Sequence, residues 1–302
     1  MSIVVVGSVA FDKVITPYGE AEKTLGGAAT YFSVAASYFC PVQVVAIVGE
    51  DFGDEHAAVF EDRGVDTAGI VHAEGKTFYY GCEYSWNLND RTTLFTELNV
   101  FERFEPDLPA AYRQAPYVFL ANIDPELQLS VLEQVESPRL IAMDTMNFWI
   151  DGRLQALQRT LRRVDILVIN DEEARQLADT YNLVQAAANI REMGPSAVII
   201  KRGEHGATAF LGDEIFTVPG YPLRQLADPT GAGDTFAGGL MGYLVRTGDH
   251  TPEGLRRAIV AGSVMASFCV ERFSLEGITG LQDEQIATRY RAFQRLTCFG
   301  DL

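Results

Sequence analysis

Short runs of apolar, mostly β-branched residues alternate with longer helical patterns along most of the chain. The runs at 3–7, 42–48, 117–121, 140–144, 166–170 and 197–202 have the length and composition of buried strands. Helical periodicity covers 28–39, 54–63, 125–135, 151–161 and 172–193. Strands that alternate with helices in this way form a mainly parallel central sheet with helices on both faces. The alternation therefore predicts an α/β fold.

The segment from 77 to 100 departs from this alternation. Apolar side chains occupy every second position from 78 to 88, and a second alternating run covers 92–100. A period of two over that length indicates a half-buried antiparallel strand. Asn89-Asp90 supplies a turn between the two runs. The sequence thus predicts a hairpin whose apolar face is covered by substrate, by the main body of the chain or by a second subunit.

Charge and composition exclude several classes of protein. The chain has 302 residues, 47% of them hydrophobic, and a formal net charge of -17, which repels phosphate backbones and anionic lipid. We therefore expect no nucleic-acid partner and no membrane partner. The N-terminus lacks the pattern of a secretory signal, and the four cysteines are too scattered for a disulfide framework. Without a linker or a repeat, 1–302 is expected to be a single cytoplasmic domain.

The segment Asp228-Pro229-Thr230-Gly231-Ala232-Gly233-Asp234-Thr235-Phe236 predicts an anion site. Two glycines let the backbone curl so that successive N–H groups point into one hollow, and a helix follows that ends near Gly248. The N-terminus of a helix attracts an anion. Asp234, with an ordinary pKa of about 3.9, would lie beside that anion and accept a proton from an attacking hydroxyl. Taken alone, the same pattern is also typical of a helix entry capped by Asp234.

The longer string DPTGAGDTFAGG, which begins at Asp228, closely resembles the C-terminal signature of the PfkB carbohydrate kinases, the ribokinase-like kinases. Four further segments resemble family elements in the family's order: Gly7-Ser8-Val9-Ala10-Phe11-Asp12, Leu25-Gly26-Gly27-Ala28-Ala29, Asn170-Asp171-Glu172-Glu173 as the Asn-x-x-Glu motif, and Lys201-Arg202-Gly203-Glu204-His205-Gly206. The resemblance implies a ribokinase-like fold with a small β-sheet lid formed by about 12–24 and 75–104. It also implies an ATP-dependent transfer of a phosphoryl group to a hydroxyl of a small sugar-like molecule.

The resemblance assigns roles to individual residues. It makes Asp234 the base and gives the anion hole to Gly231, Ala232 and Gly233. It gives substrate binding to Asp12, Gly26, Gly27 and Tyr31. It gives nucleotide binding to Asn170, Lys201, Gly203, Gly206 and Thr230. Glu173 is implied to hold Mg²⁺ through water, and a monovalent cation such as K⁺ is an optional further cofactor. In several members the lid sheet pairs with a second copy, which implies a homodimer.

The residue at position 31, a tyrosine, leaves open which molecule accepts the phosphoryl group. Many sugar-specific members of the family carry Asn at the position of Tyr31, so this chain has a ring with one hydroxyl in place of an amide that hydrogen-bonds in both directions. The ring can stack on a nucleobase, which makes a nucleoside kinase of the adenosine or cytidine type the nearest alternative, or it can pack in the core. A non-catalytic, ligand-binding descendant is a further alternative. A Rossmann dehydrogenase is disfavoured, because Gly7-Ser8-Val9-Ala10 lacks the G-x-G-x-x-G pattern.

Overall fold

The computed structural model describes residues 1–298, and its largest element is a nine-stranded sheet. Elements are numbered in chain order over the whole structure. The nine strands are β1 (Ile3–Val6), β4 (Val42–Val48), β5 (Asp66–His72), β8 (Tyr117–Leu120), β9 (Leu140–Asp144), β10 (Ile166–Asn170), β11 (Ala197–Lys201), β12 (Ala207–Leu211) and β13 (Glu214–Val218). The six strands predicted from the sequence are all present, and their ends differ from the predicted ones by at most one residue.

The strand order is β13-β12-β11-β10-β9-β8-β1-β4-β5, and the pairs from β5 to β11 are all parallel. At one edge, β12 pairs antiparallel with both β11 and β13. β1 lies inside the sheet and its four residues are fully buried, because helices cover both faces. The prediction of a mainly parallel sheet is confirmed. Parallel strands end at one edge, so this topology gathers the residues that follow β1, β8, β9, β10 and β11.

Ten α-helices lie within residues 1–298. They are α1 (Ala28–Ala36), α2 (Asp54–Glu61), α3 (Pro125–Gln134), α4 (Asn147–Gly152), α5 (Leu154–Leu161), α6 (Asp171–Ala178), α7 (Leu183–Glu192), α8 (Ala232–Thr247), α9 (Pro252–Cys269) and α10 (Asp283–Thr297). None of the helices in this part of the chain is both long enough and apolar enough to pass through a bilayer.

The helices form one layer on each face of the large sheet. Ile3 and Val5 belong to a core shared with α1, α8 and α9. Val4 and Val6 point the other way and belong to a core shared with α3, α5, α6 and α7. This alternation follows from the two-residue period of a strand. The prediction of helices on both faces is confirmed.

Two segments that were each predicted as one helix are each divided into two helices, so these predictions are wrong. The segment 172–193 forms α6 and α7, because Asp179 adopts a left-handed conformation (φ 49°) that ends α6. The side chain of Asn182 then caps α7 by accepting hydrogen bonds from the N–H groups of Val184 and Gln185. The segment 151–161 is likewise divided between α4 and α5 at Arg153. Apolar periodicity continues across both breaks, so it does not reveal them.

A second, four-stranded sheet has the order β3-β2-β6-β7. Its strands are β2 (Ala10–Thr16), β3 (Gly19–Gly26), β6 (Phe78–Tyr84) and β7 (Arg91–Glu97). β6 and β7 form the predicted antiparallel hairpin, with Tyr84 opposite Arg91. β6 ends before Trp86, which is 83% exposed, because the side chains of Ser85, Asn87 and Asp90 hydrogen-bond one another and form the turn.

Candidate active site

The first turn of α8 presents free N–H groups. Gly231 precedes it in a left-handed conformation (φ 73°, ψ 0°), and its carbonyl accepts the N–H of Thr235 at 2.8 Å. The N–H of Ala232 donates to the carbonyl of Pro229 at 3.2 Å, so it is already used. Within residues 1–298 the N–H groups of Gly233 and Asp234 have no main-chain acceptor. The N–H of Asp234 also approaches its own carboxylate. Both N–H groups lie at the positive end of a 16-residue helix, which is a site for an anion.

Tyr31 lies beneath this turn. Its ring is 1% exposed, and a methyl group on the Cα atom of Gly231 would come within 2.4 Å of the ring carbons. Only glycine fits at 231, both because of the ring and because of the positive φ. The ring packs in the core and supports the turn from below, which is one of the alternatives that the sequence left open; substrate binding by Tyr31 stays a prediction. Its buried hydroxyl has no hydrogen-bond partner within residues 1–298.

Lys201, at the end of β11, reaches the same turn. A methyl group on Gly233 would lie 2.9 Å from the Nζ atom of Lys201, so the ammonium is beside the free N–H groups. Nζ also donates to Oδ2 of Asp144, which ends β9, at 3.0 Å. Asp144, Glu173 and Asp234 all raise the pKa of Lys201, although burial opposes them. The lysine is therefore positively charged at neutral pH. The sequence placed Asp144 at a strand end but gave it no role.

Asp12 approaches from the small sheet. It lies within β2 and is 5% exposed. A methyl group on Gly26 would lie 1.9 Å from Oδ2 of Asp12, so glycine at 26 makes room for the carboxylate. Gly27 begins α1 with φ 91°, where a side chain would meet the carbonyl of Ser8 at 2.5 Å. Asp12, Gly26 and Gly27 thus form one group, as the sequence suggested.

Three carboxyl groups of the site are difficult to ionise. Burial, and then the charge of Asp144, raises the pKa of Asp234 to about 7 against the opposing charge of Lys201. The same causes raise the pKa of Glu173 to about 7. Burial, and then the charges of Asp228 and Asp234, raises the pKa of Asp12 to about 7. The expectation that Asp234 keeps an ordinary pKa is wrong, because it is held in a low-dielectric site beside another acid.

Asn170 and Glu173 form a capping box at the start of α6. The side chain of Asn170 accepts the N–H of Glu173 at 2.8 Å, and Oε2 of Glu173 accepts the N–H of Asn170 at 3.1 Å. These bonds leave Oε1 of Glu173 and the amide nitrogen of Asn170 available. No cluster of three metal-ligating side chains occurs within the described residues. One carboxylate oxygen fits a Mg²⁺ ion that keeps most of its water or phosphate ligands.

Gly203, Gly206 and Thr230, the other residues predicted to bind the nucleotide, have different surroundings. Gly206 has φ 82°, and a methyl group there would lie 2.1 Å from the carbonyl of Val218, so packing alone requires glycine. Gly203, also with positive φ, lies next to the side chain of Asn89 in the hairpin turn. The N–H of Thr230 donates to Asp228 at 2.8 Å. The structure thus gives Gly206 a role in the fold and brings Gly203 and Thr230 towards the hairpin.

The hairpin of the small sheet contacts the anion site. The hydroxyl groups of Tyr84 and Thr230 lie 3.3 Å apart. Arg91 is opposite Tyr84 in the ladder, so the two side chains share a face of the sheet. The positive charge of Arg91 is the smallest of the influences that lower the pKa of Asp12, Glu173 and Asp234. The sequence gave Arg91 no role, because its place opposite Tyr84 depends on the register of the hairpin.

The site combines an anion site, a carboxylate and a lysine at the edge of a mainly parallel sheet. This arrangement is typical of an enzyme that transfers phosphoryl groups. Residues 1–278 match the model of the pfkB family carbohydrate kinases. The cytidine kinase of Thermococcus kodakarensis is 28% identical over 250 residues, covering 80% of this chain and 88% of that protein. A nucleoside kinase of Methanothermobacter thermautotrophicus is 26% identical over 285 residues, covering 89% of each.

The fold is also similar to that of solved kinase structures. The structure of aminoimidazole riboside kinase from Salmonella enterica, complexed with aminoimidazole riboside and an ATP analogue, superposes with a TM-score of 0.74 at 20% identity. The match covers 96% of this chain and 100% of that chain. The chain belongs to the pfkB family of carbohydrate kinases, with the ribokinase-like fold that the sequence predicted. It is an ATP-dependent kinase.

Replacing Asp234 with Asn is expected to raise the melting temperature at pH 8 more than at pH 5. The folded-state pKa of Asp234, about 7, lies above its ordinary value of 3.8. The folded chain therefore binds more protons than the unfolded chain between these values, and stability falls as the pH rises through this window. The amide removes this penalty. We expect an increase of about 2 °C or more at pH 8, measured by thermal unfolding.

Asp213→Asn is the matched control, because Asp213 is exposed in the turn between β12 and β13. Its melting temperature should follow that of the wild type at both pH values. If Asp234→Asn changes the melting temperature equally at pH 5 and pH 8, Asp234 does not have a raised pKa.

Proposed function

We propose that this kinase transfers the γ-phosphoryl group of ATP to a hydroxyl of a nucleoside. The observation that carries the proposal is the convergence of Asp234, Lys201 and the free N–H groups at the start of α8. The N–H groups and the ammonium stabilise the negative charge of the transferred phosphoryl group. Asp234 accepts the proton of the hydroxyl as its oxygen bonds to phosphorus and the bond to ADP breaks.

The electrostatics of the site suit Asp234 as the base. A general base works best when its pKa lies near the working pH, and the pKa of Asp234 is about 7. Asp12 provides a second carboxylate nearby that hydrogen-bonds other hydroxyl groups of the acceptor. Arg91, which affects the pKa of both acids, adds positive charge above the site when the phosphates are bound.

A nucleoside is the first candidate for the acceptor, and a free sugar is the second. Relatives that share most of their length with this chain include a cytidine kinase, a nucleoside kinase and an adenosine kinase, and also an inositol 3-kinase. Tyr31 also replaces the amide that many sugar-specific members use, and its ring is buried beneath Gly231. A free sugar remains the alternative because it offers the same hydroxyl groups to Asp12. We also propose a cytoplasmic location, where ATP is supplied.

We propose Mg²⁺ as a cofactor, held by Glu173 through water and by the phosphates of ATP. A monovalent cation such as K⁺ is proposed near Asp228. This carboxyl is 1% exposed, burial raises its pKa, and no basic group opposes that rise within residues 1–298. Turnover should rise when potassium chloride replaces choline chloride at constant ionic strength. Equal turnover in both salts would remove the monovalent cation from the proposal.

We propose that the small sheet, over about 12–24 and 75–104, is a lid that excludes water from the reaction. Its hairpin reaches the anion site through Tyr84 and Thr230. Tyr79 and Phe95 pack edge to face and are both partly exposed, and Leu94 is 43% exposed. We propose that a second copy of the chain covers these side chains. Sedimentation at micromolar concentration should give a dimer, and a strict monomer would contradict it.

Acceptor-dependent release of ADP tests the proposed function. We expect release with cytidine, adenosine or another nucleoside to exceed release with ribose, fructose, ketodeoxygluconate, inositols and sugar phosphates. Asp234→Asn should then lower turnover on the best acceptor by about 10² to 10⁴, the effect of losing a general base, while nucleotide affinity is kept. Near-normal turnover of this variant would reject Asp234 as the base. Binding of ATP without any acceptor-dependent release would favour a non-catalytic descendant.

A further inference from the structure

The side chain of Lys201 lies between two neighbours, Asp144 and Gly233. On one side its Nζ atom lies 3.0 Å from Oδ2 of Asp144. On the other side it lies against Gly233, at the turn whose N–H groups are free. A lysine side chain has four rotatable bonds and is a flexible point charge unless a partner restrains it. Within residues 1–298, Asp144 is the acidic residue that forms an ion pair with Lys201.

Asp144 is itself held firmly. Its Oδ1 atom accepts the N–H of Thr145 at 2.8 Å. Its carbonyl accepts Nε2 of Gln128 at 3.0 Å, and the same nitrogen donates to the carbonyl of Ala121 at 2.9 Å. Gln128 is fully buried, so these bonds join the ends of β8 and β9 at one fixed point. The main chain of Asp144 is thus held by Gln128 and its Oδ1 atom by Thr145, and its Oδ2 atom accepts from Lys201.

The ion pair is largely removed from water. The side chains of Asp144 and Lys201 are 6% and 19% exposed. An unpaired ammonium in such a place is costly, and a lysine that lost its anchor would turn towards solvent or towards Glu173. Both carboxylate oxygens of Asp144 already accept a hydrogen bond, whereas Oε1 of Glu173 accepts none within residues 1–298. The contacts of Asp144 therefore favour an action through Lys201 over a direct action on Mg²⁺.

We infer that Asp144 is a positioning residue for phosphate binding: its carboxylate holds the ammonium of Lys201 against Gly233, so that the ammonium and the N–H groups form one anion site. The inference deepens the proposed function and rests on it. It gives a role to the Asp144-Lys201 pair, which joins two strand ends that are 57 residues apart in the chain.

A double-mutant cycle tests the inference. The readout is the affinity for a non-hydrolysable ATP analogue with Mg²⁺, measured by calorimetry, since this needs no knowledge of the acceptor. Lys201→Met should weaken binding by about 10- to 100-fold, the effect of losing one hydrogen bond to a charged group. Asp144→Asn should weaken binding by about 5- to 30-fold. Adding Asp144→Asn to Lys201→Met should change the affinity by less than about twofold, because Asp144 then has nothing to position.

Equal weakening by Asp144→Asn in the presence and absence of Lys201 would overturn the inference, because Asp144 would then act independently. If Asp144→Asn does not fold, Asp144→Glu replaces it: the charge is kept but displaced by one methylene. If Asp144→Glu lowers the affinity in the wild type but not in the Lys201→Met variant, the result supports the positioning role. If Asp144→Glu keeps the wild-type affinity, the result contradicts that role. Thermal unfolding confirms that each variant is folded.

Asp151→Asn is the matched control, since Asp151 is an exposed acid near the end of α4. Its affinity should match that of the wild type within about twofold, because it carries no part of the site. The proposed function and this inference fail differently. A wild type that does not bind the ATP analogue contradicts the proposed function, whereas a wild type that binds it with an additive cycle contradicts the role of Asp144 alone.

Discussion

The first turn of α8 is the point at which Lys201 and Asp234 meet the N–H groups of the site. The turn exists because Gly231 takes a left-handed conformation over the ring of Tyr31, which no side chain at 231 would allow. Once the turn is fixed, Gly233 meets the ammonium of Lys201 and Asp234 lies in the first turn of the helix. A backbone site of this kind needs no reorganisation when charge develops on the phosphoryl group. The fold thus fixes the anion position before any ligand arrives.

The concentration of acidic groups around this turn has a cost. Asp12, Glu173 and Asp234 each have a pKa raised to about 7, chiefly by burial. Each therefore favours the unfolded state at alkaline pH, where the folded state must hold a buried charge. Lys201 and Arg91 oppose part of this cost. Acids that destabilise the fold and yet are positioned towards one anion site are typical of a catalytic centre.

Much of the fold follows from the sequence, because strands buried on both faces give continuous apolar runs and the glycine-rich string marks the start of α8. The breaks at Asp179 and Arg153 were not predicted, because single-residue conformations interrupt α-helices without changing apolar periodicity. Part of the site was also predictable, because the family resemblance named Lys201 and Asp234, which lie at the first turn of α8. The packing of Tyr31 beneath Gly231 was not, because these residues are 200 positions apart and only the contact of α1 with α8 joins them. The places of Arg91 and Asp144 were not predictable for a similar reason: the first depends on the register of the hairpin and the second on the order of the strands in the large sheet.

The most direct test of the account is a crystal structure with Mg²⁺, a non-hydrolysable ATP analogue and the acceptor found by ADP release. The account predicts that the γ-phosphate accepts hydrogen bonds from the N–H groups of Gly233 and Asp234 and from Lys201. A carboxylate oxygen of Asp234 should lie within about 3.2 Å of the acceptor hydroxyl. A γ-phosphate bound away from the first turn of α8, or an acceptor hydroxyl out of reach of Asp234, would contradict it.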